Sequence, residues 1–200
     1  MSKKRLLAII VWFAALAATG AIADVNHTPL DGNNPGATAQ RDAEEAVTRR
    51  LLDQFRTIKI PLSQAVAIAE HLHDGSRTAN ICLEISGPPV YRVRTVNHER
   101  IWENVIDANS GSVTEKEVSS SLRGLDREDL GNLIALKSVE FELSDAVRIA
   151  EKAAEGSALA GGLLKQDGKL NFVVVIASGD RLKEVMLEPP RVGKQGATRH

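Results

Sequence analysis

The nine residues Leu62–Glu70, LSQAVAIAE, return 81 positions later as Leu143–Glu151, LSDAVRIAE, with seven identities. The register then holds without an insertion. From Leu62–Asp107 against Leu143–Glu188 there are 15 identities in 46 positions. Gly75-Ser76 returns as Gly156-Ser157, Leu83 as Leu164, Gly87 as Gly168, Val93 as Val174, Arg100 as Arg181 and Glu103 as Glu184. A register kept through turns as well as regular segments signals duplication, so the fold must accommodate one unit twice. Two copies of mixed elements point to tandem small modules rather than a solenoid.

Each copy reads locally in the same way. Leu62, Ala65, Val66, Ala69 and Leu72 fall on one helical face, as do Leu143, Ala146, Val147, Ala150 and Ala154. Ser63 and Ser144 are the expected N-caps, because a serine oxygen can accept from an unpaired first-turn amide. Gly75 and Gly156 follow where a left-handed stop is expected. Beyond them the apolar period becomes two: Tyr91, Val93 and Thr95 share a face, as do Phe172, Val174 and Ile176. Turns are expected at Gly87-Pro88-Pro89, Asp167-Gly168-Lys169, Asn97-His98-Glu99 and Ser178-Gly179-Asp180, with strands at 100–107 and 181–188. Asn109-Ser110-Gly111-Ser112 turns into a short last strand near Val113, which Pro189-Pro190 removes from the second copy. Tight turns favour antiparallel pairing. The expected fold class is α+β: two tandem small modules, each a helix packed on an antiparallel sheet, with an additional N-terminal amphipathic helix.

The rest of the chain divides accordingly. Residues 1–23 read as a secretory signal, with Lys3, Lys4 and Arg5 before the apolar run 6–18 and a small-x-small site at Ala21-Ile22-Ala23. The other reading of this segment is a retained anchor, although its apolar run is short of the ~20 residues that span a bilayer. Cleavage removes three positive charges and no negative ones, taking the formal charge from −1 to −4. That mild acidity without a basic stripe argues against nucleic acid as a partner. Residues 24–38 carry Pro29, Pro35, Gly32 and Gly36 and read as a flexible linker. Residues 39–57 form the amphipathic helix, with Ala43, Val47, Leu51, Phe55 and Ile58 on one face. Module 1 spans 58–117 and module 2 spans 138–188. Between them, 118–137 holds a loop at Ser119–Ser121 and a short helix over Leu125–Leu136; 189–200 is a disordered tail. The one cysteine, Cys82, sits between Ile81 and Leu83 and reads as a buried thiol, so an exported fold is held by its core without an internal disulfide.

The run from Leu62 to Glu117 resembles a PepSY domain. The resemblance rests on the helix LSQAVAIAE, the strand PVYRVRTV and the closing turn VIDANSGSV, with Asp107 and Gly111 at the family's Asp-Ala-x-x-Gly positions. The second copy is similar to a degenerate PepSY domain: it keeps LSDAVRIAE and an aromatic at Phe172 but has Glu188-Pro189-Pro190 at the closing turn. The resemblance implies a fold like that of a β-lactamase inhibitor protein. It also implies a non-catalytic role in restraining peptidases, as in propeptides of secreted thermolysin-type metallopeptidases. No His-Glu-x-x-His occurs in the chain, so such an action would be on a partner in trans.

The residues themselves suggest binding rather than catalysis. No Gly-x-Ser-x-Gly elbow or phosphate loop is present, and no catalytic, cofactor-binding or metal-ligating set is expected. His71, His73 and His98 are the candidates for an alternative reading as an envelope small-ligand or metal-binding protein; on a regular helix His71 and His73 diverge by about 200°. The informative contrast is between the sheets. Arg92 and Arg94 point away from the helix in the first copy, where the second has Val173 and Val175. An apolar face over several strands needs a cover. That cover is the 39–57 helix, the 125–136 helix, the other module or a partner. Arg92, Arg94 and Trp102 form a candidate partner-binding patch, Arg and Trp being the types that dominate interface energies, with core burial the alternative for Trp102. The expected protein is an exported, periplasmic or secreted, non-catalytic binding or regulatory protein. Its expected partner is another envelope or secreted protein, with a peptidase as candidate, and no membrane span remains after signal cleavage. N-terminal sequencing of the exported form is expected to begin at Asp24; a first residue of Met1 would show a retained anchor instead.

Overall fold

The computed structural model describes residues 35–166 and 168–190. The expected signal segment, most of the linker and the tail from 191 lie outside the described residues. Helices α1 (Pro35–Phe55) and α2 (Leu62–His71) precede strands β1 (Arg77–Glu84), β2 (Val90–Asn97), β3 (Arg100–Asp107) and β4 (Val118–Ser121). A 3-10 turn, Leu122–Gly124, leads to α3 (Arg127–Lys137) and α4 (Leu143–Ala154). Strands β5 (Ser157–Gln166), β6 (Lys169–Ser178) and β7 (Arg181–Leu187) complete the order. Among the described residues, seven strands join one antiparallel sheet in the order β4-β3-β2-β1-β5-β6-β7. The fold class is α+β, as the alternation of periods predicts, and the two repeated units share a single sheet.

The repetition can be followed pair by pair. Val93 opposite Asn104 is answered by Val174 opposite Val185, an offset of 81 in both strands. Ile81 opposite Val93 is answered by Gly161 opposite Val174, so β1 and β5 are related by 161 − 81 = 80. Both break register at the same place, between Thr78 and Asn80 and between Ala158 and Ala160. One residue is therefore missing from the second helix–strand turn. The left-handed position falls on Gly75 (φ 70) in the first copy and on Glu155 (φ 52) in the second. This corrects the gapless alignment and the expectation of a left-handed Gly156. Gly156 is needed for space instead: a Cβ there would meet the Ala177 carbonyl, whose carbon lies 2.9 Å away.

The units meet through β1 and β5, which pair Asn80 with Gly162, Ile81 with Gly161 and Cys82 with Ala160. Under the 80-residue offset the first and third pairs exchange and the middle pair maps onto itself. A pseudo-twofold axis thus passes through Ile81 and Gly161. Glycine suits both positions because neighbours press close: a Cβ at Gly161 would lie 3.1 Å from Leu143 Cδ1, and one at Gly162 2.8 Å from Asn80 Nδ2.

Helices α2 and α4 pack on one face of the sheet. Leu62, Ala65, Val66 and Ala69 are buried on α2, and Leu143, Ala146, Val147, Ala150 and Ala154 on α4. Burying each Leu or Val contributes roughly 1.5–3 kcal/mol, which supplies the docking energy that helices of this length lack alone. Leu72, at the end of the expected stripe, is exposed because the helix has already ended. The segment before each helix meets the same strand position by different chemistry. Tyr91 Oη donates to the Ile60 carbonyl at 2.9 Å. Eighty-one residues on, Phe172 meets Phe141 edge-on at 5.3 Å.

The opposite face carries α3, which lies across β5 and β6. Val173 and Val175 are 4% and 0% exposed, so the helix expected over 125–136 is their cover. Two arginines pin that helix. Arg77 donates to the Leu136 carbonyl at its C-terminus and to those of Val139 and Phe141, at 2.7–2.9 Å. Arg94 reaches Asp129 in its first turn at 3.4 Å. Asp126 caps the same turn through the Asp129 amide at 2.8 Å, and Lys137 stands at the other end, so its charges complement the helix dipole.

Several local expectations are corrected. Ser63 and Ser144 lie inside the first turn, because each helix begins at the buried leucine before them; Pro61 and Glu142 occupy the N-cap positions. Ser119–Ser121 belong to β4, since the edge of β3 has backbone groups to satisfy and the serines extend to pair with them. The strand expected near Val113 is reduced to a single bridge with Ile106. Helix α1 begins at Pro35, inside the expected linker, and Val47 on its predicted inner face is 61% exposed. Among the side chains described on α1, the buried ones are Leu51 and Leu52.

Two glycine substitutions should act in opposite directions. Gly156→Ala is expected to destabilise by about 1–3 kcal/mol through overpacking against backbone. Gly131→Ala, inside α3 with only Lys165 Nζ at 3.9 Å from the new Cβ, is expected to stabilise by about 0.5–1 kcal/mol. Urea unfolding of both checks the signs, and equal effects would contradict the geometry.

Candidate functional site

The face of β1–β3 away from α2 presents Glu84, Arg92, Arg94 and Glu103. Alternation along β2 places Arg92 and Arg94 on this face, opposite to Tyr91, Val93 and Thr95. Each guanidinium is held by carboxylates. Arg92 makes two bonds to Glu84, Nε to Oε1 at 3.2 Å and Nη2 to Oε2 at 3.1 Å, and lies 3.8 Å from Glu115. Arg94 contacts Glu103 at 2.9 Å as well as Asp129. Four carboxylates surround two arginines, so the face is a ladder of mixed charge. The Glu84 hydrogen bond is the main cause that raises the Arg92 pKa. Paired, largely buried arginines of this kind contribute modestly to stability, and their planar forks stay ordered for a partner.

The structure separates the third member of the predicted patch. Trp102 pairs with Thr95 and therefore lies on the helical face. It stacks on His73, ring centroids 4.1 Å apart and 15° between planes, and His73 Nε2 is 2.6 Å from Glu117. Arg92 and Arg94 are together; Trp102 is on the other side of the sheet. Residue parity along a single strand could not reveal this, because Trp102 belongs to β3 and the β2–β3 register decides its side. In the second unit Lys183 takes the corresponding place and donates to the Ala154 carbonyl at the end of α4, at 2.9 Å.

The histidines do not converge. His71 Nδ1 bonds with the Ala67 carbonyl at 2.9 Å, His73 with Glu117, and His98 with the neighbouring Asn97 side chain. Among the described residues no group of three or more His, Cys, Asp or Glu is placed to hold a metal ion. Cys82 is buried on the same face as Arg92, and burial, with Glu84 nearby, pushes its thiol up to about 12. That keeps it protonated and unreactive at neutral pH.

Residues whose roles the sequence did not disclose carry much of the local order. Glu70 accepts from the Thr78 amide at 2.8 Å and Glu151 from the Ala158 amide at 2.9 Å, so each helix is tied to the start of its first strand. The repeat contains both glutamates, but their targets become visible only once the helix–strand angle is known. The closing turn has a similar logic. Asp107 accepts from the amides of Asn109 and Ser110 and from the Ser110 hydroxyl, which lowers its carboxyl pKa. Gly111 takes φ 76 and donates its amide to the Asp107 carbonyl at 2.9 Å. A side chain there would also crowd Ile68 Cδ1 at 3.1 Å, so the Asp-Ala-x-x-Gly spacing is a turn requirement.

Residues 59–117 match the family described as peptidase propeptide and YPEB domain, PepSY. This segment holds α2, β1–β3, the closing turn and the charged face. No curated protein matches the chain. A solved structure, of a candidate lipoprotein from Clostridium difficile 630, is 20% identical with a TM-score of 0.40. The alignment covers 66% of this chain and 88% of that one. Among the described residues no helix is long and apolar enough to cross a membrane.

Burial raises the Glu70 carboxyl pKa above its usual value of 4.5, against the lowering by its bond to Thr78. The folded state therefore holds this proton more tightly than the unfolded chain. Glu70's contribution to stability is greatest below 4.5 and is lost as pH rises through its folded pKa. Glu70→Gln is expected to flatten that part of the stability-versus-pH curve, above about pH 4.5, while keeping an acceptor for the Thr78 amide. An unchanged slope in urea titrations would contradict the assignment.

Proposed function

We propose that this chain is an exported, non-catalytic protein of the bacterial cell envelope that binds and restrains a partner protein, a secreted peptidase being the first candidate. The contrast between the two halves of one sheet carries this reading. The face beside Val173 and Val175 is covered by the chain's own α3, whereas Arg92 and Arg94 keep about a quarter of their side chains exposed (27% and 24%). The first half is the recognition unit. The second half is a degenerate PepSY copy whose matching face has become internal packing. The family match over 59–117 supports the link to peptidase control. Ordered, paired arginines suit a partner that presents carboxylates or carbonyls and exchanges with Glu84 and Glu103 at the edge of the face.

The test uses the mature chain as bait against the exported fraction of its host, beside Arg92→Gln/Arg94→Gln. Neutral glutamine avoids new repulsion with Glu84, Glu103 and Glu115. The double variant is expected to keep its circular dichroism and to lose the captured partner at least about tenfold in affinity, the loss of two charge-assisted contacts. Equal capture by both proteins would remove this face from the account. Micromolar chain that leaves every exported peptidase fully active would remove the peptidase assignment.

A further inference from the structure

Three polar side chains lie buried on the helical face of the first half, and two of them hold side-chain atoms that no described protein group satisfies. Thr78 and Thr95 are 1% and 0% exposed and sit opposite each other on β1 and β2; the Thr78 hydroxyl interacts with the Glu70 carboxyl, whereas the Thr95 hydroxyl has no hydrogen-bond partner among the described residues. Asn104 on β3 is 1% exposed, and both its amide nitrogen and its oxygen are unpartnered. Register brings the three together. Thr95 opposes Trp102, two residues from Asn104 on the same face. Such diagonal neighbours are about 7–8 Å apart at Cα and closer at Cβ, within reach of a single bridging molecule. The Glu70 carboxylate stands at the near end of this row, bonded to the Thr78 amide.

The second half answers which of these residues the fold requires. By register, Thr78 opposite Thr95 is replaced by Ala158 opposite Ile176, and Val93 opposite Asn104 by Val174 opposite Val185. The same helix packs on the same strands there with an apolar row. The polar row is thus particular to the first half. Left dry, these groups would forfeit the hydrogen bonds to water that they make in the unfolded chain. Native interiors avoid that cost by placing water against convergent buried donors and acceptors.

We propose that the first half encloses a water-binding site beneath α2, formed by the Thr95 hydroxyl and the Asn104 side-chain amide with the Thr78 hydroxyl at its edge, and that the second half has no counterpart. The ligand is one or two waters. Hydroxyl and amide each donate and accept, so the site matches a small neutral molecule with the same capacity.

A crystal structure at 1.5 Å or better is expected to show ordered water bonded to Thr95 Oγ1 and the Asn104 amide. Direct bonds between those side chains, or a dry contact, would overturn the site. Thermal unfolding gives an independent reading. Thr95→Val or Asn104→Val alone strands the remaining partners and is expected to lower the melting temperature by about 2–4 °C. Thr78→Ala/Thr95→Ile/Asn104→Val, which installs the second half's row, is expected to return it to or above the starting value. Single substitutions that each stabilise would mean the groups are dry. Losses that add up in the triple variant would mean each is satisfied separately. Either result refutes a shared water site.

Discussion

The three residue pairs between β1 and β5 are the contact on which the rest depends. They turn two three-stranded units into one sheet, and they set α2 and α4 side by side on a common face. They also join the inner edges of both units, which would otherwise present unpaired backbone groups. Ile81 sits on the axis with no exposure, and Gly161 and Gly162 let Leu143 and Asn80 close over the crossing. The adjacent glycines Gly161 and Gly162 are explained by this close approach.

The two halves keep one strand register and differ in the side chains placed on it. Tyr91 bonded to Ile60 becomes Phe172 against Phe141. Trp102 on His73 becomes Lys183 on a helix end. The arginines of β2 become valines beneath α3. Each change keeps the backbone register and alters what the surface or core offers. Arg77 and Arg94 use the first half's charges to hold a helix whose apolar side covers the second half, so the divergence of one unit is coupled to the packing of the other.

Much of the fold was legible in the sequence because it rests on period and on local chemistry. The α2 and α4 faces, the β2 and β6 alternation and the turns at His98 and Gly179 are short-range properties. What was not legible depends on register between distant segments. The side on which Trp102 lies is set by β3 pairing, the missing residue in the second helix–strand turn by the positions of Gly75 and Glu155, and the role of Ser119–Ser121 by an edge that needed a partner. The candidate site divides the same way. Arg92 and Arg94 are adjacent by alternation, which the sequence states. Their neutralisation by Glu84, Glu103, Glu115 and Asp129 arises from two other strands, a loop and a helix.

The central claim is that the two units form one continuous sheet through β1 and β5. Native-state amide hydrogen exchange tests it most directly. The amides that cross between residues 80–82 and 160–162 are predicted to exchange with the slowest class, at the rate of global unfolding, together with those between β1 and β2. Rapid exchange at the crossing, while the flanking strand pairs stay protected, would show two independent sheets and contradict the account.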